Sequence, residues 1–140
     1  MRLEINKLIN NYYAFQHDFF EYLKNFFSSK SAKIYIISVF ILNALIWFVA
    51  YIINFYNVKK EDITLHYNIN FGTNLIGSSY QVYIIPITGL LLFIFNMIIL
   101  YTSRNRDNRK FNQHIILSGS LIVNLFLLIS ISTIFIFNYY

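Results

Sequence analysis

The chain has 140 residues, 57% of them apolar and only 12% charged, with a net charge of +5 and no cysteine. That composition excludes an ordinary water-soluble domain and points to a membrane protein. The missing thiols exclude disulfides, zinc-thiolate centres and cysteine nucleophiles. The basic residues flank apolar runs and do not form a nucleic-acid footprint, so membrane lipids are the expected partners and nucleic acid is not.

Residues 1–33 come first. In LEINKLINNYYAFQHDFFEYLKNFF the apolar residues Ile5, Leu8, Tyr12, Phe15, Phe19, Leu23 and Phe26 recur in steps of three or four. This spacing makes one stripe on a helix and predicts an amphipathic, interfacial helix on the cytoplasmic side, with Lys7, His17, Glu21 and Lys24 mainly on other faces. Such a helix rests in the headgroup region or docks a partner subunit. Its acidic residues argue against a transit peptide. SSKSAK, residues 28–33, is the expected polar link to the first long apolar run.

Three runs, 34–56, 82–102 and 115–138, contain no Asp, Glu, Lys, Arg or His. A bilayer core of ~30 Å needs about 20 apolar residues at 1.5 Å rise each, so each run is expected to span. The first starts too far from Met1, and is too long, for a signal-peptide core. The predicted class is therefore an all-α membrane protein of three transmembrane helices preceded by the amphipathic helix, forming a single membrane domain over 1–140.

Arg2, Lys7, Lys24, Lys30 and Lys33 precede the first run, and Arg104, Arg106, Arg109 and Lys110 lie in the basic loop 103–114; only Lys59 and Lys60 lie on the opposite side. This bias predicts the N-terminus inside, the end of the third span outside, and a bacterial or organellar inner membrane, the bacterial one being favoured. Tyr35 and Tyr101 then mark the inner boundary, and Tyr51, Tyr56, Tyr80, Tyr83, Tyr139 and Tyr140 the outer, while Trp47 falls mid-span as a packing residue.

The loop 57–81 is thereby placed outside. Ile63, Leu65, Tyr67 and Ile69 alternate with Thr64, His66, Asn68 and Asn70, the period of a half-buried strand. NFGTN supplies a turn through Gly72, and Leu75 and Ile76 return, so the loop is expected to be a short extracytoplasmic hairpin resting on the helix ends. His66, Tyr67, Asn68, Gly72 and Asn74 form its candidate binding surface.

Pro86 and Gly89 fall near the start of the second span. Proline is tolerated in a first helical turn but discourages helical geometry at Ile85, so the helix is expected to begin or bend there, with Gly89 admitting a close neighbour. Each span also carries one amide: Asn43, Asn96 and Asn124, at depths of roughly 13, 9 and 13 Å from the inner boundary. An unpaired amide is costly in hydrocarbon, so the three are expected to turn inward and bond one another or a buried water, with Ser118, Gly119 and Ser120 admitting a close approach; the alternative is a polar patch for a partner's helix or a small polar ligand.

Catalytic and metal signatures are missing. The histidines divide between the two sides, and no zinc-protease, nucleophile-elbow, P-loop or dinucleotide motif occurs, so no enzyme activity and no cofactor are expected. The run LHYNINFGTNLIGSSYQVYIIPITGLLLFIFN, residues 65–96, resembles a bacterial membrane domain of unknown function. In that domain a His-aromatic-Asn triplet, a glycine and an acidic residue precede a proline-containing transmembrane helix. His66, Tyr67, Asn68, Gly72 and Pro86 carry the likeness, with Asn74 at the acidic position and Thr64 where the domain has a proline. The domain occurs at the N-terminus of immunity proteins against the sporulation-delaying toxin, and similar short three-helix proteins occur in bacteria with reduced genomes. The resemblance implies an outward-facing sensor or immunity-like binder. The residues themselves suggest a non-catalytic structural or accessory subunit, with a protein partner or a second copy in the membrane.

Overall fold

The computed structural model of the protein describes residues 2–57, 62–68, 72–104 and 108–139. Helix α1 (Arg2–Ser28) runs into α2 (Lys30–Tyr56), followed by strands β1 (Asp62–Asn68) and β2 (Gly72–Ser78). A 3₁₀ turn (Ser79–Tyr83) then leads into α3 (Ile84–Thr102), and α4 (Arg109–Tyr139) ends the described chain. The protein is all-α apart from the hairpin, and among the described residues three helical segments are long and apolar enough to cross a membrane: Lys30–Tyr56, Ser79–Thr102 and Arg109–Tyr139.

Helix ends are set by caps and not by the edge of the apolar run. The polar link expected over residues 28–33 shrinks to Ser29, whose hydroxyl accepts the Ala32 N–H and starts α2 four residues before the apolar run. Likewise α4 begins at Arg109, inside the sequence expected to be loop, with the Asn112 N–H bonded to the Asn108 carbonyl. Pro86 sits in the third position of α3, where its missing N–H would have had no partner within the helix. Ile85 is helical despite the proline, and the irregularity appears one turn earlier as the 3₁₀ segment.

The α2 face against the bundle is Ala32, Ile36, Val39, Asn43, Ile46, Ala50 and Ile53, in steps of four and three. That repeat keeps one seam facing its neighbours along the whole helix. Two apolar clusters result. Tyr22, Phe26, Ile36, Val39, Phe93, Leu100 and Leu117 fill the end near α1, and Ile46, Ala50, Ile53, Ile63, Val82 and Ile131 fill the end near the hairpin. Among the described side chains, helix α1 joins through its second half. Tyr22 and Phe26 are buried, whereas Tyr12, Tyr13 and Phe20 are exposed. The seam thus includes Tyr22, outside the expected stripe; the side chains of Ile5, Leu8 and Phe15 lie outside the described residues.

Candidate functional site

Between the two clusters lies a layer of amides. Asn43 of α2 donates from Nδ2 to the Pro86 carbonyl at 3.1 Å and to Asn124 Oδ1 at 3.3 Å. Asn124 in turn donates to the Ser120 carbonyl at 3.0 Å, and both asparagines are buried. One amide of α2 therefore holds both α3 and α4. Gly89 makes the room, because a Cβ there would lie 2.7 Å from Asn43 Nδ2 and 2.8 Å from Asn124 Oδ1.

Asn96 does not join this pair. Its Nδ2 donates to Ser120 Oγ at 2.8 Å, and Ser120 donates to the Ile116 carbonyl at 3.1 Å. The reason is depth: counted along the spans, Asn96 stands roughly 4 Å nearer the inner boundary, most of a 5.4 Å helical turn, and it meets the residue one turn below Asn124. Gly119 admits no neighbour, since a Cβ there would meet nothing within 4 Å. Close approach on α4 runs through buried Ser120 instead.

The hairpin end is tied by three side chains, of which the sequence marks only Tyr139, as a boundary tyrosine, and neither Asn54 nor Asn138. Asn138 brackets the backbone of Thr64, accepting its N–H and donating to its carbonyl, each at 2.8 Å. Asn54 donates to the Ser79 carbonyl at 3.1 Å, and the Tyr139 hydroxyl to the Ile53 carbonyl at 2.8 Å. Ile63 is buried and Leu65 packs against the same cluster, so β1 lies on the helix ends. The strands pair antiparallel, His66 opposite Leu75, Tyr67 opposite Thr73 and Asn68 opposite Gly72, with irregular register on both sides of His66. The backbone thus places His66, Tyr67 and Asn68 on β1 and Gly72 and Asn74 on β2. Their side chains lie outside the described residues.

At the other end, Arg104 lies 3.5 Å from Asp18 and 4.3 Å from the Tyr101 ring centroid, while Arg109 lies over the Tyr22 ring at 5.4 Å. Tyr22 also meets Tyr101 edge to face at 5.3 Å. Burial pushes the Tyr22 phenol above its ordinary value, with Arg109 and then Arg104 pulling the other way, so the ring stays neutral as a cation–π partner. Asp18, Glu21, Tyr22, Arg104 and Arg109 line a cleft of about 270 Å³. The exposed Asp18 pair contributes under about 1 kcal/mol; the aromatic seam holds α1. Lys110 stands exposed beside Arg109, and Arg106 lies outside the described residues.

No family model, curated protein or solved structure matches this chain.

Proposed function

We propose that the protein is a non-catalytic integral membrane subunit with three spans, structural or accessory to a larger assembly in a bacterial inner membrane. The observation that carries this reading is where the polar groups go. Asn43, Asn96, Ser120 and Asn124 bond one another or helix backbone across the bundle. The outward faces carry Phe40, Phe48, Phe55, Phe95 and Phe126, each more than half exposed. Exposed apolar surface on this scale suits lipid or a partner helix and not water. Co-purification in mild detergent tests the subunit role: a stoichiometric second protein on a native gel is expected, and a chain that runs alone under all mild conditions would refute it.

The irregular register beside His66 favours a second reading, an outward-facing sensor or immunity-like binder, because bulges re-aim side chains at binding sites. The resemblance of residues 65–96 agrees with it. In that case the chain purifies alone until its ligand is added. Both readings put the N-terminus and the segment from Arg104 to Lys110 inside. Because the chain has no cysteine, single thiols report this cleanly. Ser78→Cys is expected to react with an impermeant reagent in intact cells and Ser103→Cys only after permeabilisation; the opposite pattern would reverse the orientation.

A further inference from the structure

A second cleft, of about 490 Å³, opens between the α1–α2 elbow and the start of α4, lined by Ser29, Ser31, Arg109, Lys110, Gln113 and His114 among others. It shares Asn25 and Arg109 with the smaller cleft, but the two differ in charge. The smaller sets Asp18 and Glu21 against its arginines, with Asp18 paired to Arg104. Among the described residues lining the larger there is no carboxylate, so Arg109 and Lys110 bring positive charge that no acid in that wall offsets.

The helices add to the imbalance. Both α2 and α4 start at this cleft with lysine or arginine and with no acid in the first turn. A helix N-terminus already carries partial positive charge, so cations there are unfavourable and an anion is stabilising. Neutral donors stand beside the charges: Ser29 accepts the Ala32 N–H through its oxygen and keeps its own proton to give, and Gln113 carries an amide. His114 rests edge-on against Tyr35, 5.8 Å between ring centroids, and forms a wall. A guanidinium, an ammonium and small neutral donors around one space suit the several oxygens of a phosphate.

We propose that this cleft recognises a phosphate group, with Arg109 and Lys110 supplying charge and Ser29, Ser31 and Gln113 holding the remaining oxygens. The lining residues Ser31 and His114 stand just before Ile34 and Ile115, where the apolar runs begin. If the helices span a bilayer in the way proposed for the subunit, on which this inference rests, that is the level of lipid headgroups, and an anionic phospholipid is the expected source.

Native mass spectrometry of the detergent-purified chain tests it, with phosphatidylglycerol, phosphatidylcholine and inorganic phosphate titrated separately. Phosphatidylglycerol is expected to bind at least about tenfold tighter than phosphatidylcholine, and Arg109→Gln with Lys110→Gln to remove about that factor. The equally charged control Lys24→Gln with Lys33→Gln, outside the cleft, is expected to remove much less. Lys110→Gln alone leaves the Arg109–Tyr22 contact and guards against a folding defect, as does an unchanged melting temperature. Inorganic phosphate displacing the lipid at matching concentration would support the site and assign it a soluble phosphate. Equal loss in the two double variants would overturn the site, and equal binding of the two lipids, which share the phosphodiester, would overturn the anionic phospholipid as its source. Alkaline extraction of the chain from membranes separately decides whether the spans insert, so failure of that reading is not mistaken for failure of the site.

Discussion

Gly89→Ala is expected to destabilise the helix bundle by about 1 to 3 kcal/mol, the usual cost of overpacking a filled core. Gly119→Ala is expected to change it by less than about 0.5 kcal/mol. The chemistry of the two changes is identical; the surroundings are not. At residue 89 the new methyl would lie 2.7 Å from Asn43 Nδ2, 2.8 Å from Asn124 Oδ1 and 3.2 Å from Leu127 Cδ1. The amides have nowhere to retreat without breaking their bonds to each other, to the Pro86 carbonyl or to the Ser120 carbonyl. Alanine's helix propensity opposes this by up to about 1 kcal/mol when the reference state is a chain unfolded in water. In detergent the spans stay helical as they separate, so that compensation largely vanishes. Titration with a denaturing detergent, followed by fluorescence of the single tryptophan, Trp47, beside Tyr83, reads the difference. Equal midpoints for the two variants would mean that Gly89 is not the point of closest approach.

The helices are legible in the sequence because apolar runs of this length have few other uses. Their ends are not, since the run marks where side chains become greasy, while Ser29 and Asn108 mark where backbone groups find their first helical partners. The buried face of α2 is hidden for a related reason. With Ile34, Phe40, Phe48 and Phe55 outside and Ile36, Val39, Ile46 and Ile53 inside, both faces are apolar and hydrophobic periodicity is silent. Asn43 is the informative residue on that helix, because an amide is costly anywhere but the seam. Along α1 the doublets Tyr12–Tyr13, Phe19–Phe20 and Phe26–Phe27 blur the stripe, since neighbours differ by about 100° around the axis, and Tyr22 does not stand out from them. The hairpin shows in its alternation, but the turn expected through Gly72 does not fall there, since Gly72 opens β2 opposite Asn68, and the irregularity beside His66 leaves no mark in residue type. Asn138, clamping Thr64 from 74 residues away, is a tertiary fact that local pattern does not carry.

Replacing Asn43 and Asn124 together is expected to cost less than the sum of replacing each. Asn124→Leu removes the acceptor 3.3 Å from Asn43, leaving that amide with the Pro86 carbonyl alone. Asn43→Leu leaves Asn124 Oδ1 buried without its donor. A stranded buried polar group costs about 1 to 3 kcal/mol, so Asn43→Leu should destabilise by that order and Asn124→Leu, which leaves Asn43 its bond to the Pro86 carbonyl, by less. The double change strands neither, and two leucines of the same branched shape, though bulkier, refill the space, which is why apolar replacement of both partners costs less than stranding one. The coupling measured by the cycle should be about 0.6 to 2 kcal/mol, the range for hydrogen bonds between membrane helices. Asn96 bonds Ser120 in the layer below, so Asn96→Leu should combine with Asn43→Leu additively, within about 0.5 kcal/mol. Insertion, read by alkaline extraction, should be unchanged in every variant, because exchanging an amide for leucine makes each span more apolar. Strict additivity across Asn43 and Asn124 would show that their contact carries no energy. The amides would then be free to turn toward a helix of another protein, and the subunit reading would gain a candidate docking face inside the bilayer.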